Sequence, residues 1–506
     1  MRRRIRMSAV LVVSLGLGLA GCSGNGDGNS GSGEQAQSVP DRSTSLVVGP
    51  IDTEPPTYDY TQANQLAPLI LLTYNVVEPL LERMEDGTLE PLLAESYEVS
   101  EDGLEYVFKL REATFHDGTD LTADDVIYSL ELNRAALNAS VSGPLQSVES
   151  IEKVDDRTVR VTLSVASQRF IQAMARESGM IIPDGDAEQL AEAPVGTGPF
   201  MFEAWEHGVN VTLARFEEYW GELPYFEDIT WRFIPDPTAG VNALLAGEVS
   251  LIETTRSTVE GMGIDPDAAE GLEPLEQPAQ AIFFAFLNAK DPAFADERVR
   301  QAIAHAINRD DLGTQAGGTG QGTCMFVNPP TEPWNSDECP YPYDPDRSKE
   351  LLAEAGAEDL SIGLKYPAGW TDAEILAAQL TDAGITVEQQ GISDFPRFIE
   401  ETESGDYQMG LIGGSQQADA FMCPAAWLTA DCMPEVDELL AQADRSTDLD
   451  EWADLRRQAV EAQAERAYVI PLFNVQIFHM MSDELEGVKP YRSYVEFDLR
   501  GLHWAS

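Results

Sequence analysis

The stretch that most constrains the fold is residues 94–132, where the pattern of a strand is followed by a turn and then by the start of a helix. Tyr106, Phe108 and Leu110 occupy every second position, which is the period of a half-buried strand. Thr122 with Asp125 three residues later is the pattern of a capping box at a helix N-terminus. The stretch therefore predicts a strand, a tight turn and a helix in succession.

Strand and helix patterns continue to alternate along the rest of the chain. Residues 281–287 form an uninterrupted apolar run, which is typical of a strand buried on both faces. Farther along, Asp346 is predicted to cap a helix that Gly356 ends. This alternation predicts an α/β protein, and because 506 residues are too many for one hydrophobic core we expect two or three lobes.

The N-terminal residues have the pattern of an export leader. Four arginines within the first six residues precede an apolar segment, and LAGC at residues 19–22 resembles a lipobox, whose cysteine becomes the lipidated first residue. We expect a signal peptide at residues 1–21, a lipid on Cys22 and a Gly/Ser-rich tether at residues 22–42. An ordinary secretory leader with an incidental cysteine is the alternative. No later run is long enough to cross a bilayer, so we expect the rest of the chain in the periplasm or at the extracellular face of the membrane.

The charge balance limits the possible partners. The chain has 87 acidic and 32 basic residues, a formal net charge of −55 at pH 7. Such a surface repels nucleic acids and anionic lipid headgroups, so neither is an expected partner. We interpret the acidity as a solvated surface suited to a salty medium; a field that attracts cationic solutes is the alternative.

Four cysteines follow Cys22, and an even number in an oxidising compartment suggests disulfides. Pairing of nearest neighbours gives Cys324–Cys339 and Cys423–Cys432, although three connectivities are possible. A zinc site is the alternative, but no Cys-x-x-Cys spacing and no nearby histidine supports it.

The signatures of enzymes and cofactor sites are missing from the sequence. It contains no GxxxxGK, HExxH or GxSxG, and its one GxGxxG match, at residues 16–21, lies within the leader. The five histidines are scattered without metal-ligand spacing. We therefore expect a protein that is not an enzyme and that holds no cofactor or metal.

A long ordered set of motifs points to a family. AES (94–96), EDGL (101–104), FKLR (108–111), FHDG (115–118) and LTADDV (121–126) together resemble the family 5 extracellular solute-binding proteins, the peptide- and nickel-type receptors of ABC importers. The resemblance extends over residues 46–504.

The resemblance implies a two-lobed periplasmic-binding-protein fold, type II and cluster C, with an inserted subdomain and lobes that close on a ligand. Lobe I is expected from residues 43–76, 194–276 and 475–506, the inserted subdomain from residues 77–193, and lobe II from residues 277–474.

The resemblance also suggests ligand contacts. In peptide-binding relatives an Ala-Asp just after a strand supplies the carboxylate for the peptide's ammonium group, and Asp419 matches it. Relatives usually have Trp where this chain has Gln416, and no Lys or Arg occurs at residues 398–444 to meet a ligand carboxylate. For Asp419 the alternative is an ordinary loop acid, and for the aromatic candidates it is core packing. The predicted ligand-binding residues are Ser415, Gln416, Asp419, Phe395, Tyr74, Asn75, Phe284 and Trp427.

The expected function follows from the family. It is a lipid-anchored and monomeric receptor that captures a solute, with short peptides as the leading class, and delivers it to an ABC permease. Oligosaccharides and nickel complexes are rival ligands, while a secreted hydrolase or a receptor that signals without transport are rival functions.

Overall fold

The computed structural model describes residues 45–49, 54–62, 67–84, 87–277, 281–315, 321–326, 338–414, 433–475, 477–489 and 497–505, in which strands and helices alternate. The strands are β1 (Ser45–Gly49), β2 (Leu81–Arg83), β3 (Leu89–Pro91), β4 (Ala94–Val99), β5 (Glu105–Leu110), β6 (Val148–Asp155), β7 (Thr158–Leu163), β8 (Phe200–Glu206), β9 (Asn210–Arg215), β10 (Asp228–Arg232), β11 (Leu251–Thr254), β12 (Leu272–Glu276), β13 (Ala281–Leu287), β14 (Gln321–Gly322), β15 (Ser361–Pro367), β16 (Thr386–Ile392), β17 (Met409–Gly414), β18 (Val469–Val475), β19 (Phe478–Ser482), β20 (Leu485–Glu486) and β21 (His503–Trp504).

The helices lie between these strands. They are α1 (Ala67–Leu72), α2 (Ala123–Arg134), α3 (Ala139–Ser142), α4 (Gln168–Ala173), α5 (Pro237–Leu245), α6 (Arg256–Gly261), α7 (Glu297–His305), α8 (Arg309–Gln315), α9 (Pro345–Ala355), α10 (Thr371–Asp382), α11 (Phe395–Glu403), α12 (Pro434–Arg445) and α13 (Leu449–Arg466). Short 3-10 turns lie at Gly143–Leu145, Glu177–Gly179, Asp186–Ala191, Pro266–Ala268 and Pro292–Phe294. This alternation confirms the expected α/β class. None of the helices in the described part of the chain is long and apolar enough to cross a membrane.

A seven-stranded sheet combines the start, the middle and the end of the described chain. Its strand order is β12-β19-β11-β1-β10-β9-β8, with β1 paired in parallel to both β10 and β11. Trp231, Phe226 and Phe200 are fully buried in the hydrophobic core on one face of this sheet. The first strand is therefore central, and the sheet needs segments that are far apart in the sequence.

A six-stranded sheet is built from residues 281–475 alone, in the order β14-β18-β13-β17-β15-β16. Ile282, Phe284 and Phe286 of β13 belong to one hydrophobic core. Ala285 and Leu287, on the other face of the strand, belong to a second core. The prediction of a strand buried on both faces is confirmed.

A four-stranded sheet, β4-β5-β7-β6, carries helices α2 to α4 between and after its strands, and we call this part the four-stranded subdomain. Tyr106, Phe108 and Leu110 of β5 point into its core. The Asp125 carboxylate accepts hydrogen bonds from the Thr122 amide at 2.8 Å and from its hydroxyl at 2.7 Å, so the predicted capping box is present at the start of α2.

Two crossovers join the two large sheets. One lies between β12 and β13 and the other between β18 and β19. The Gln277 backbone N–H donates a hydrogen bond to the Ile477 backbone carbonyl at 2.8 Å, so the two crossovers lie side by side. The strands of each large sheet come from the segments predicted for one lobe, and the predicted boundaries stay a proposal for dividing the chain.

One predicted cap is wrong. Helix α9 begins at Pro345, and its N-cap is Asp344, whose carboxylate accepts from the Arg347 amide at 2.8 Å. Asp346 instead lies in the first turn of the helix. The proline explains the earlier start, since a missing N–H costs nothing at the first helical position.

Cys324 and Cys339 form a disulfide, with their Cα atoms 5.1 Å apart. This is one of the two pairings that the sequence predicts. Cys423 and Cys432 lie outside the described residues, as does Cys22, and their pairing and lipidation stay predictions.

Candidate ligand-binding site

One edge of the six-stranded sheet gathers the carboxyl ends of four strands. Strands β16 and β17 are parallel to β15, and β17 and β18 are both antiparallel to β13, so these four strands run in the same direction. Their last residues, Pro367, Ile392, Gly414 and Val475, therefore lie at a common edge, which we call the carboxyl edge. Both crossovers to the seven-stranded sheet also meet the six-stranded sheet here. In open α/β sheets, ligands bind outside the carboxyl ends of the strands.

Two aromatic residues lie shortly after the ends of strands at the carboxyl edge. Phe395 is the first residue of α11, shortly after β16, and is 50% exposed, although its ring lies 6.1 Å from that of Phe398. Trp370 follows β15, and its ring lies 5.0 Å from that of Phe283. The structure thus places predicted Phe395 where a ligand could reach it. Trp370 was not predicted, although its position just after a strand was a usable signal.

The residues that follow β17 include half of the predicted ligand contacts. Ser415, Gln416, Asp419 and Trp427 lie outside the described residues, and their ligand roles stay predictions. The structure does show that the chain reaches this segment from the carboxyl edge, since β17 ends at Gly414.

Phe284 lies in the sheet interior. It is fully buried in β13, and its ring lies 4.9 Å from that of Phe326 in an edge-on arrangement. These contacts show a packing role for Phe284, and its predicted contact with a ligand stays a prediction.

Tyr74 and Asn75 lie in a buried polar network. The Tyr74 hydroxyl donates to the Ala175 carbonyl at 2.6 Å, and the residue adopts a positive φ of 64°. The Asn75 amide group donates to the Phe497 carbonyl at 2.7 Å, and its oxygen accepts from the Leu499 amide at 2.9 Å. Asn75 therefore fastens the described C-terminal segment to this part of the chain, whereas Tyr74 bonds to Ala175, just after α4. Their predicted ligand contacts stay predictions.

Glu78, a few residues later, is a buried carboxylate that sequence reasoning did not single out. Its oxygens accept hydrogen bonds from the Tyr219 hydroxyl at 2.8 Å, the Trp220 indole at 2.8 Å and the Thr197 hydroxyl at 2.9 Å. Burial raises the pKa of Glu78 to about 7, against the opposing effect of these three donors and of Arg500.

Arg500 continues this network. Its guanidinium bonds to Glu82 at 2.6 Å and to Asp498 at 2.8 Å, and lies 5.1 Å above the Tyr74 ring. Burial alone would raise the pKa of Asp498, but Arg500 and Lys489 hold it well below its usual range. The nearby cations thus keep Asp498 ionised.

The loop at residues 196–198 connects Glu78 to a histidine. The Gly196 amide donates to His116 Nδ1 at 3.3 Å, while Nε2 lies 2.8 Å from the Gly198 carbonyl, so the neutral ring donates from Nε2. Burial lowers the pKa of His116 to about 4. A Cβ at Gly196 would lie 2.0 Å from the Val76 carbonyl oxygen, so this loop needs glycine because two backbone segments touch.

Metal binding finds no support in the described part of the chain, where no cluster of three or more His, Cys, Asp or Glu side chains could hold an ion. His479, for example, lies fully buried in β19, where burial lowers its pKa to about 3. At the carboxyl edge the described residues offer the aromatic rings of Phe395 and Trp370 for contact with a ligand.

Comparisons with known proteins identify similar proteins. The chain is 30% identical over 352 residues to a Brucella ovis protein named as a putative ABC transporter peptide-binding protein, covering 65% of this chain and 64% of that relative. The chain thus spans slightly less than two thirds of the length of this relative.

Solved structures share the fold over nearly the whole chain. The binding protein DppA from Helicobacter pylori, in complex with the peptide STSA, is 25% identical with a TM-score of 0.77, covering 91% of this chain and 98% of that one. The binding protein AgaA from A. tumefaciens R10, in complex with agropinic acid, is 25% identical with a TM-score of 0.76, covering 92% and 99%. These similarities confirm the two-lobed periplasmic-binding-protein fold.

Residues 88–428, more than half of the chain, match the family described as bacterial extracellular solute-binding proteins, family 5. The motifs from which the sequence suggested this family begin in the same region, at β4 and β5. The chain therefore belongs to the family 5 bacterial extracellular solute-binding proteins.

Proposed function

We propose that this protein captures a short peptide at the carboxyl edge, between its two lobes, and delivers it to the permease of an ABC importer. It acts as a monomer without catalysis, and a lipid on Cys22 keeps it at the outer face of a membrane. Loss of membrane retention in a Cys22→Ala variant is the expected result for the anchor, and unchanged retention would contradict it.

The convergence of four strand ends at the two crossovers is the observation that carries the proposal. A ligand at this edge contacts the six-stranded sheet directly and reaches the seven-stranded sheet across the crossovers. Relatives named as peptide-binding proteins and a neighbour solved with a peptide support a peptide as the ligand.

The charges of the segment after β17 favour a ligand that offers an ammonium group. Asp419 is the proposed partner of that group, and residues 398–444 contain no Lys or Arg for a ligand carboxylate. A carboxylate that pairs with an ammonium inside a closed cleft loses water on closure, so its removal leaves the ligand's charge buried and unpaired.

Native mass spectrometry of protein purified from its source should first identify the bound ligand as a short peptide. Calorimetry with that peptide should then show binding weakened roughly thirtyfold or more by Asp419→Ala, because losing one partner of a buried charge pair costs about 2–5 kcal/mol. The matched control is Asp359→Ala, which removes an exposed turn carboxylate before β15, at the opposite end of the same sheet.

Two results would contradict this proposal separately. A loss below about threefold for Asp419→Ala is in the range of an exposed ion pair and would exclude its ammonium-binding role. Recovery of a carbohydrate or a metal chelate would exclude peptides, while leaving solute capture at the carboxyl edge intact.

A further inference from the structure

A carboxylate near the end of α12 forms hydrogen bonds between the six-stranded part of the molecule and the four-stranded subdomain. Asp444, near the end of α12, accepts a hydrogen bond from the Ser167 hydroxyl at 3.0 Å and another from the Arg169 amide at 2.8 Å. Ser167 is only 4% exposed, so this contact is shielded from solvent on the subdomain side. Hydrogen bonds to a charged acceptor are stronger than those between neutral groups.

The surfaces around this carboxylate fit closely. A Cβ built on Gly103, in the turn between β4 and β5, would lie 2.9 Å from Thr447 Cγ2, so the turn approaches the end of α12 only without a side chain. Next to it, a cavity of about 410 Å³ lies between the two parts. Its lining includes Gln172 of the subdomain with Arg83 and Thr88 of the adjoining β2–β3 hairpin on one side, and Leu449, Trp452 and Arg457 on the other.

The covalent connections leave this contact free to open. Residues 281–475 join the rest of the chain only at the two crossovers, which lie side by side at Gln277 and Ile477. A rotation about this pair of crossovers would move α12 and α13 away from the subdomain without breaking either sheet. The hydrogen bonds of Asp444 must break in that rotation.

We propose that Asp444 is a latch, a positioning residue that holds the corner between α12 and α13 (residues 444–457) against the four-stranded subdomain. It thereby sets the fraction of ligand-free molecules in which the two parts touch. Because apparent ligand affinity scales with the fraction of molecules in the binding-competent arrangement, the latch tunes affinity without touching the ligand. The inference does not depend on which solute the protein binds.

Hydrogen exchange on the ligand-free full chain tests the latch directly, since the Arg169 amide is one of its donors. In Asp444→Ala this amide should exchange about tenfold faster or more, as expected for loss of a hydrogen bond to a charged group. Exchange across residues 449–457 should also rise, and small-angle X-ray scattering should give a larger radius of gyration. Asp444→Asn keeps one carbonyl acceptor, so its exchange rates and radius of gyration should lie between those of the wild type and those of Asp444→Ala.

The matched control is Glu438→Ala, which removes a carboxylate on the same helix that bonds to Gln442 within α12, and it should change none of these measurements. If only the Arg169 amide exchanges faster, while scattering and the exchange of residues 449–457 stay unchanged, then Asp444 only caps α4 locally. That result would overturn the latch. No change in any measurement would overturn it as well. If Asp444→Ala folds poorly, Asp444→Asn and Ser167→Ala must show the same pattern at smaller size, and its absence in both also overturns the proposal.

Discussion

The segment around Tyr74 and the carboxyl edge around Phe395 both supplied predicted ligand contacts, and they differ in how their groups are used. Asn75 and Glu78 bond to buried partners on distant parts of the chain, the Phe497 carbonyl and the Thr197 hydroxyl. Phe395 instead is half exposed at the first position of α11, shortly after β16. Polar residues whose hydrogen bonds are made internally fix the fold, whereas an exposed aromatic at a strand end is free to meet a ligand. Residues suggested by the same resemblance can thus be packed very differently, so each one's surroundings must be examined before it is counted as a ligand contact.

The largest effect expected in the buried segment is a pH dependence at Glu78. Its folded pKa of about 7 lies above the usual 4.5, so the folded state binds the proton more tightly than the unfolded state. Its contribution to stability is fully present below pH 4.5 and is lost as the pH rises through 7, about 2–3 kcal/mol between pH 5 and pH 8.

As the pH rises from 5 to 8, the free energy of unfolding of Glu78→Gln should therefore increase relative to that of the wild type. Urea unfolding at pH 5 and at pH 8 measures this difference. The control is Glu218→Gln, at an exposed carboxylate beside Tyr219, and its difference from the wild type should stay flat. A flat difference for Glu78→Gln as well would mean that water reaches this carboxylate and that the segment is less buried than described.

A smaller effect on stability is expected at Asn75, and it distinguishes a structural role of this residue from a ligand-binding role. Asn75→Ala leaves the Phe497 carbonyl and the Leu499 amide without this partner, which should lower the free energy of unfolding by about 1–3 kcal/mol. Affinity for the identified ligand should change less than threefold. Asn242→Ala, which removes an exposed bond within α5, is the control and should change stability by under about 0.5 kcal/mol. Unchanged stability combined with lost affinity would instead show that Asn75 binds the ligand and is not needed for the stability of the fold.

The smallest stability effect is expected at the carboxyl edge. Because Phe395 is half exposed, Phe395→Ala should shift the free energy of unfolding by no more than about 0.5 kcal/mol. Loss of an aromatic contact to the ligand should nevertheless weaken binding several-fold, as measured by calorimetry. Leu137→Ala, at a side chain that is 77% exposed in the four-stranded subdomain, should leave both quantities unchanged. Wild-type affinity in Phe395→Ala would remove this residue from the site.

Local patterns predicted much of the fold. The alternation at Tyr106, Phe108 and Leu110 and the capping box at Thr122 are both set by neighbouring residues, so the sequence shows them directly. The error at Asp346 was also local, since an aspartate two residues earlier caps the helix ahead of a proline. Contacts between distant residues leave no such pattern. Arg500 and Glu82 are 418 positions apart, and nothing near either residue indicates the other.

The candidate site was only partly predictable for the same reason. Phe395 was found through resemblance, and its position after β16 supports the choice. The buried hydrogen bonds of Asn75 are made to a C-terminal segment whose position no sequence period reveals. Asp419 lies outside the described residues and stays a prediction.

The place of β19 in the seven-stranded sheet sets the order in which a newly made chain can mature. All six strands of the other large sheet are complete at Val475, whereas β12 and β11 both pair with β19, which follows. A chain that ends between Val475 and β19 would have a complete six-stranded sheet, whereas β11 and β12 of the seven-stranded sheet would lack the strand that pairs with both. Such unpaired edges are templates for aggregation, so premature termination here should produce insoluble chains rather than a soluble protein of lower stability. Soluble, monomeric protein from a chain ending at residue 476 would contradict this.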